Sequence, residues 1–142
     1  MFRTPHLPQP AQGRPGEVVT LKVINGIEDQ GAKGKVRPGI LVERVDGHWR
    51  SIPLTSQSCY FTTGMPRLVL PEWRELGLYE PSYLWSPRPC DVSAIDIFNH
   101  IGWVNETTLT MLQSQCRLTP IQVAAMRTAA AEINEWDTRL VG

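Results

Sequence analysis

The stretch from Pro38 to Leu54, PGILVERVDGHWRSIPL, decides the fold. Its Asp46-Gly47 pair is a two-residue turn signal, because aspartate and glycine accept the positive φ angles that a tight, correctly twisted hairpin requires. Apolar and β-branched residues flank the pair, Pro38 to Val42 before it and His48 to Leu54 after it, so the segment reads as two antiparallel strands. Upstream, Val18, Val19, Leu21, Val23 and Ile24 form a further β-branched run that ends at Asn25-Gly26. Between this strand and the hairpin, residues 25–36 (NGIEDQGAKGKV) hold three glycines and a cluster of charges. That is too long for a simple turn and marks a candidate functional loop.

Downstream, Arg67 to Leu70 reads as a fourth short strand closed by Pro71, and Glu72 to Leu76 as a single helical turn before Gly77. Ser82 to Trp85 and Val92 to Ile97 read as two more strands, separated by SPRPCD, whose two prolines predict an exposed bend. His100 precedes Ile101-Gly102 and reads as a polar turn residue. The last third is helical. Asn105 is an N-cap for a helix over 106–115 with Leu109, Leu112 and Met111 on its buried face. Thr119 caps a second helix over 120–138, with Pro120 at the first position, where a missing N–H costs nothing. Ile121, Ala125, Ala129, Ile133, Trp136 and Leu140 recur along it as one apolar stripe. Short strands followed by helices predict a mainly β domain, a small barrel or a strongly curved antiparallel sheet with two C-terminal helices.

The chain has 142 residues, 42% of them hydrophobic, which is one domain with enough core to fold without a metal or disulfide staple. Residues 1–15, MFRTPHLPQPAQGRP, are proline-rich and lack apolar periodicity, so they read as a flexible tail before a single domain over 16–142. The Pro5-to-Pro8 PxxP reads as part of that tail rather than as a peptide ligand. Fourteen basic residues balance fourteen acidic ones. Any polyanion contact must therefore come from a local patch rather than a net positive field. Hydrophobic runs are far shorter than the roughly 20 residues a bilayer span needs, and the N-terminus lacks a signal-peptide pattern, so the expectation is a cytoplasmic protein with no membrane partner. Cys59, Cys90 and Cys116 are odd in number and show no metal-type spacing, which points to ordinary thiols in a reducing compartment. His6, His48 and His100 form no local motif with them, and no cofactor is expected.

Three segments in order carry a resemblance: GEVVTLKV with a loop ending KVRPGILVE, then RSIPLTSQ, then GLYEPSYL with the ending IDIFNHIGWVNETTLTML. Their order and spacing resemble the MazF/PemK-like family of type II toxin-antitoxin endoribonuclease toxins over roughly Gly16 to Gln115. That family opens on a Gly-Asp/Glu strand, follows a glycine-rich loop with Arg-Pro, ends a later strand in Pro-φ-Thr-Ser/Thr-Gln, and enters a helix from Ile-Gly-x-φ. The resemblance implies an SH3-like barrel, a homodimer, an antitoxin partner and metal-independent cleavage of single-stranded RNA. The alternative is an inactive barrel of the same fold serving as a protein-binding module of a phage or mobile element, or as an RNA-binding module.

Cleaving RNA through its own 2′-OH requires a cation for the developing phosphorane, donors that fix the phosphate and a group to accept the proton. By the resemblance, Arg37 is the Arg-Pro arginine, and its donor fork suits a phosphate. A salt bridge at a strand start is its other reading. Thr55 matches the family's phosphate-positioning hydroxyl, with Ser56 and Gln57 as further donors, or else the pair caps a turn. Glu28 stands where the family has a Glu-Gln pair and is the candidate base, unless it only balances Lys33. Lys33 and Lys35 are substrate-binding candidates beside Arg37. The chain departs from the family over Tyr83 to Asp91, where Arg88 and Asp91 are candidate substitutes for the family's polar strand. Trp85 is the candidate ring for stacking on a base, worth roughly 1–3 kcal/mol, or is a core residue. Trp49, Trp73, Trp103 and Trp136 read as packing residues, and His48 as an exposed residue after the hairpin turn.

Overall fold

The computed structural model describes residues 9–23 and 35–141, with side chains through Ile133. Six strands lie among them: β1 (Glu17–Val23), β2 (Lys35–Val45), β3 (His48–Thr55), β4 (Tyr83–Leu84), β5 (Cys90–Ser93) and β6 (Ile97–Trp103). Two helices follow, α1 (Glu106–Gln115) and α2 (Pro120–Val141). The strands form one antiparallel sheet in the order β4-β3-β2-β1-β6, with β5 also pairing to β3. It is mainly β with two terminal helices, and of the two architectures expected it is the curved sheet, not closed into a barrel.

The hairpin forms as its sequence dictates. Asp46 and Gly47 adopt φ of 49° and 79°, and the register runs from Val45↔His48 to Gly39↔Pro53. The outer edge of β3 is shared: His48 to Ser51 pair with β5, and Leu54 and Thr55 pair with β4. Because alternate side chains face opposite sides of a pleated strand, β1 to β3 feed two cores. Val18, Ile40, Val42, Ile52 and Leu54 pack with Leu109 and Leu112 of α1 and with Val123 and Met126 of α2. Val19, Leu21, Leu41 and Trp49 pack on the other face with Val92. The strands are thus buried on both sides, which explains their continuous apolar runs.

Four expectations change. Arg67 to Leu70 is not a ladder strand; Pro66 and Pro71 bound it, and it is stitched to β4 by an isolated Val69↔Tyr83 bridge and by Leu70 N–H donating to Ser82 O at 2.9 Å. Val92 to Ile97 is interrupted by a 3-10 turn over Ala94–Asp96, and the chain then enters β6, so His100, Ile101 and Gly102 belong to a strand rather than a turn. The pairing partner β1, distant in sequence, makes that difference, with a bulge where Thr20 Oγ1 accepts from Asn99 N–H at 3.0 Å. On α2 the buried stripe is Val123, Met126 and Ala129, whereas Ile121 is 81% exposed and Ala125 is exposed. Trp136 and Leu140 lie outside the side chains described.

The fourth change concerns the tail. Residues 9–15 run beside β6, with His100 N–H donating to Gln9 O at 2.7 Å and Ala11 N–H to Phe98 O at 3.0 Å. The next turn closes on the fully buried Glu17, whose carboxylate accepts from the N–H groups of Gln12, Gly13 and Arg14 and contacts His100 Nδ1 at 2.8 Å. For these residues the reading as a flexible tail does not hold, because backbone bonds and one buried carboxylate supply what apolar periodicity did not.

Both helix caps form as expected. Asn105 Oδ1 accepts from Thr108 N–H at 2.9 Å, while its Nδ2 donates to Glu72 and Glu75. Thr119 and Gln122 make a reciprocal capping box, each side chain accepting from the other's backbone N–H at 2.9 and 3.1 Å. Two glycines let the chain cross β6 closely. A Cβ on Gly102 would sit 2.2 Å from Leu76 O, and one on Gly77 2.7 Å from Ile101 O. The Ile-Gly of the sequence is therefore a crossing point, and it places the segment after Gly77 beside the ends of β2 and β3.

Candidate functional site

Prolines open the site. Pairing between β2 and β3 stops at Gly39↔Pro53, since neither Pro53 nor Pro38 has an N–H with which to extend the ladder. Arg37 and Thr55 each lie two residues beyond that pair, on matching sides of the pleat, so both side chains belong to one face. A cleft of about 400 Å³ lies at these strand ends, and its lining takes in Lys35, Arg37, Thr55 and Ser56 together with Val36 and Leu54 from the other side of the pleat. The segment from Gly77 to Glu80, with Ser82, forms the facing wall.

Arg37 is half-buried. Its guanidinium carbon lies 5.2 Å from the centroid of the Trp85 ring, a cation–π contact that fixes the head group. Its charge also reaches Cys90: burial pushes that thiol up, Asp91 adds to the rise, and Arg37 partly opposes it. Thr55 Oγ1 accepts from Gln57 N–H at 3.1 Å, so Thr55 turns the chain and lines the cleft at once, its hydroxyl proton still directed by rotation.

Of the residues singled out in the sequence, the fold brings Lys35, Arg37, Thr55 and Ser56 to the cleft, with Trp85 stacked on Arg37. Gln57 stands just outside it, its carbonyl accepting from Arg67 Nη1 at 3.3 Å. Arg88 is exposed on the proline bend, outside the cleft lining. Asp91 faces Arg50 across β3 and β5 at 3.7 Å instead of the cleft. Glu28 and Lys33 fall in residues 24–34, outside the described residues. His48 is exposed, and Trp49 is buried as a packing residue.

Four residues were not singled out. Tyr79 and Glu80 line the cleft, and the only signal for them was the bracketing of an exposed segment by Gly77 and Pro81. Arg67 is buried and ties two segments together, donating from Nε to Trp85 O at 3.2 Å and from Nη1 to Cys59 O at 2.6 Å. It therefore holds the ring on which Arg37 rests. Glu17 organises the N-terminal segment. A buried Arg or Glu cannot be told from a solvated one by residue type alone.

The thiols are poor nucleophiles where they are buried: Cys116 is pushed up to about 11 by burial, and Cys90 is raised. Among the described residues no group of three His, Cys, Asp or Glu side chains is arranged to hold a metal ion. Nor, among them, is any helix long and apolar enough to cross a membrane.

No family model and no curated protein matches the sequence. Among solved structures, MazE-MazF (Form-II) from Deinococcus radiodurans is similar. The identity is 16% and the TM-score 0.49, over 72% of this chain and 90% of that chain. Function at this level of likeness has to be read from the cleft.

Proposed function

We propose that the cleft binds the backbone of single-stranded RNA and cleaves it through attack of the RNA's own 2′-hydroxyl, as in a toxin of the MazF/PemK type. The observation that supports this reading is the lining of one cleft by Arg37, Lys35 and the hydroxyls of Thr55 and Ser56. Two cations and two hydroxyl donors around one cleft match a phosphate, whose oxygens accept several charge-assisted bonds at once. Arg37, held by Trp85, stabilises the charge that builds on the phosphorane, and Thr55 donates to a phosphoryl oxygen. Glu80 on the facing wall accepts the 2′-hydroxyl proton, with Glu28 as the other candidate base. The 2′-oxygen bonds to phosphorus as the bond from phosphorus to the 5′-oxygen breaks, and the departing 5′-oxygen takes a proton from water, giving a 2′,3′-cyclic phosphate and a 5′-hydroxyl. Lys33, two residues before Lys35 in the sequence, is a further candidate phosphate contact, and Gln57 and Arg88 are candidate contacts to the flanking strand. A homodimer and an inhibitory antitoxin partner belong with this reading.

A second reading, an inactive domain that binds a protein, is favoured by apolar side chains exposed at two places away from the cleft. Phe61 is 79% and Met65 61% exposed on the turn after Cys59, and Ile121 projects from α2. One assay separates the two. Purified protein is incubated with mixed-sequence single-stranded RNA in EDTA, and the fragment ends are mapped. Cyclic-phosphate and 5′-hydroxyl ends are expected, with Arg37→Ala slowing their formation by about 10²–10³ and Thr55→Val also slowing it. Intact RNA with the wild-type protein would refute cleavage and leave binding to be measured.

A further inference from the structure

We propose that Tyr79 is the ring of this cleft on which an unpaired RNA base stacks, an assignment that rests on the RNA reading above. Tyr79 is 99% exposed, on a segment that borders the same cleft as Arg37, Lys35 and Thr55. A ring this exposed gains nothing from the core, whereas a stacking platform requires an open face. Its backbone is held from both sides. Leu78 beside it is buried in the main core, and its N–H donates to Trp73 O at 3.2 Å. On the other side Ser82 Oγ donates to Glu80 O at 3.0 Å, across Pro81. The loop is thus ordered before any ligand arrives, which lowers the cost of binding.

Trp85, the ring that sequence alone favours for stacking, carries the Arg37 guanidinium instead. Its role in the cleft is to position that charge. The two walls then divide one nucleotide between them: the cations and hydroxyls of β2 and β3 face the phosphate, and Tyr79 on the facing segment meets the base. Because every base has a π-face, this contact adds affinity without dictating sequence.

The test is fluorescence anisotropy with a short, labelled, mixed-sequence RNA whose 2′-hydroxyls are methylated, so that it binds without being cut. Wild type, Tyr79→Ala, Tyr79→Trp and Arg37→Ala are titrated over a range of salt concentrations. Loss of one stack predicts that Tyr79→Ala weakens binding by about 5- to 150-fold with the salt slope unchanged, while Tyr79→Trp retains or improves affinity. Arg37→Ala reduces the salt slope by about one counterion. If wild type binds and Arg37→Ala weakens it but Tyr79→Ala stays within twofold, stacking at Tyr79 is wrong and the RNA reading survives. If Tyr79→Ala weakens binding and Tyr79→Trp fails to restore it, the ring is not a stacking platform. If wild type binds no RNA, both fall together. Melting temperatures unchanged in Tyr79→Ala are expected from its exposure and keep the affinity loss from being a folding loss.

Discussion

Replacing Glu17 with alanine is expected to cost the domain more stability than any exposed charge change. The carboxylate is fully buried and accepts from Gly13 N–H at 2.8 Å and Gln12 N–H at 2.9 Å, with a longer contact from Arg14 N–H at 3.4 Å. His100 Nδ1 lies 2.8 Å away. Each hydrogen bond to a charged group contributes about 1.5–3 kcal/mol, but Gln12 and Gly13 are exposed and water can replace part of what they lose. The unrecovered share is the contact with His100 and the N–H groups turned inward, where each buried group left without its partner costs about 1–3 kcal/mol, or roughly 3–5 kcal/mol together. With a shift of about 3 °C per kcal/mol for a domain of this size, the melting temperature falls by roughly 10–15 °C. Thermal denaturation followed by circular dichroism measures it. The reasoning has a second arm: deleting residues 1–14 removes the same N–H donors, so deletion in a Glu17→Ala background adds less than deletion in the wild type. A loss under about 3 °C for Glu17→Ala, or strict additivity with the deletion, would refute the claim that this carboxylate anchors the N-terminal segment.

Two further outcomes follow from the packing and the surface. Gly102→Ala places a methyl 2.2 Å from the carbonyl oxygen of Leu76, a backbone atom that cannot swing aside, so the crossing must open at a cost of at least about 1–3 kcal/mol; urea unfolding measures the loss, and a variant as stable as wild type would show that the crossing is slack. Arg127 donates to Glu106 and, chiefly by that hydrogen bond, holds the Glu106 carboxyl below the usual glutamate value. A depressed carboxyl contributes stability that is present above its unfolded value and lost as pH falls through its folded value. The small melting-temperature deficit of Arg127→Met at pH 7 should therefore fade as pH drops below about 4, and a deficit that persists there would assign the effect to packing instead.

The antiparallel hairpin, the first strand and both helix caps were legible in the sequence, because each is set by neighbours within a few positions. Asp46-Gly47 fixes its own turn, and Asn105 and Thr119 each satisfy an N–H group three residues away. Half of the cleft was legible in the same sense: an Arg-Pro-Gly strand start and a Pro-Leu-Thr-Ser strand end stop a ladder wherever they meet. That they meet, with Gly39 and Pro53 opposite each other, depends on the hairpin register, which the two-residue turn sets.

The remainder belongs to contacts between residues far apart in the chain. β6 is a strand because β1 pairs with it, so the turn expected at Ile101-Gly102 became a crossing beneath Leu76. Ile121 lies outside the buried stripe of α2 because the helix is rotated to turn Val123 and Met126 onto the sheet, a choice made by the shape of the opposing core and not by spacing alone. Trp85 receives Arg37, and Tyr79 is left open, only because Gly77 and Gly102 bring the segment after Leu76 against the ends of β2 and β3. Local sequence determined which segments are strands, turns and caps, since those depend on dihedral preference and nearby hydrogen bonds. Tertiary structure alone decided which aromatic ring faces solvent, which carboxylate is buried and which cation rests on an aromatic ring, because burial is a property of what another part of the chain covers.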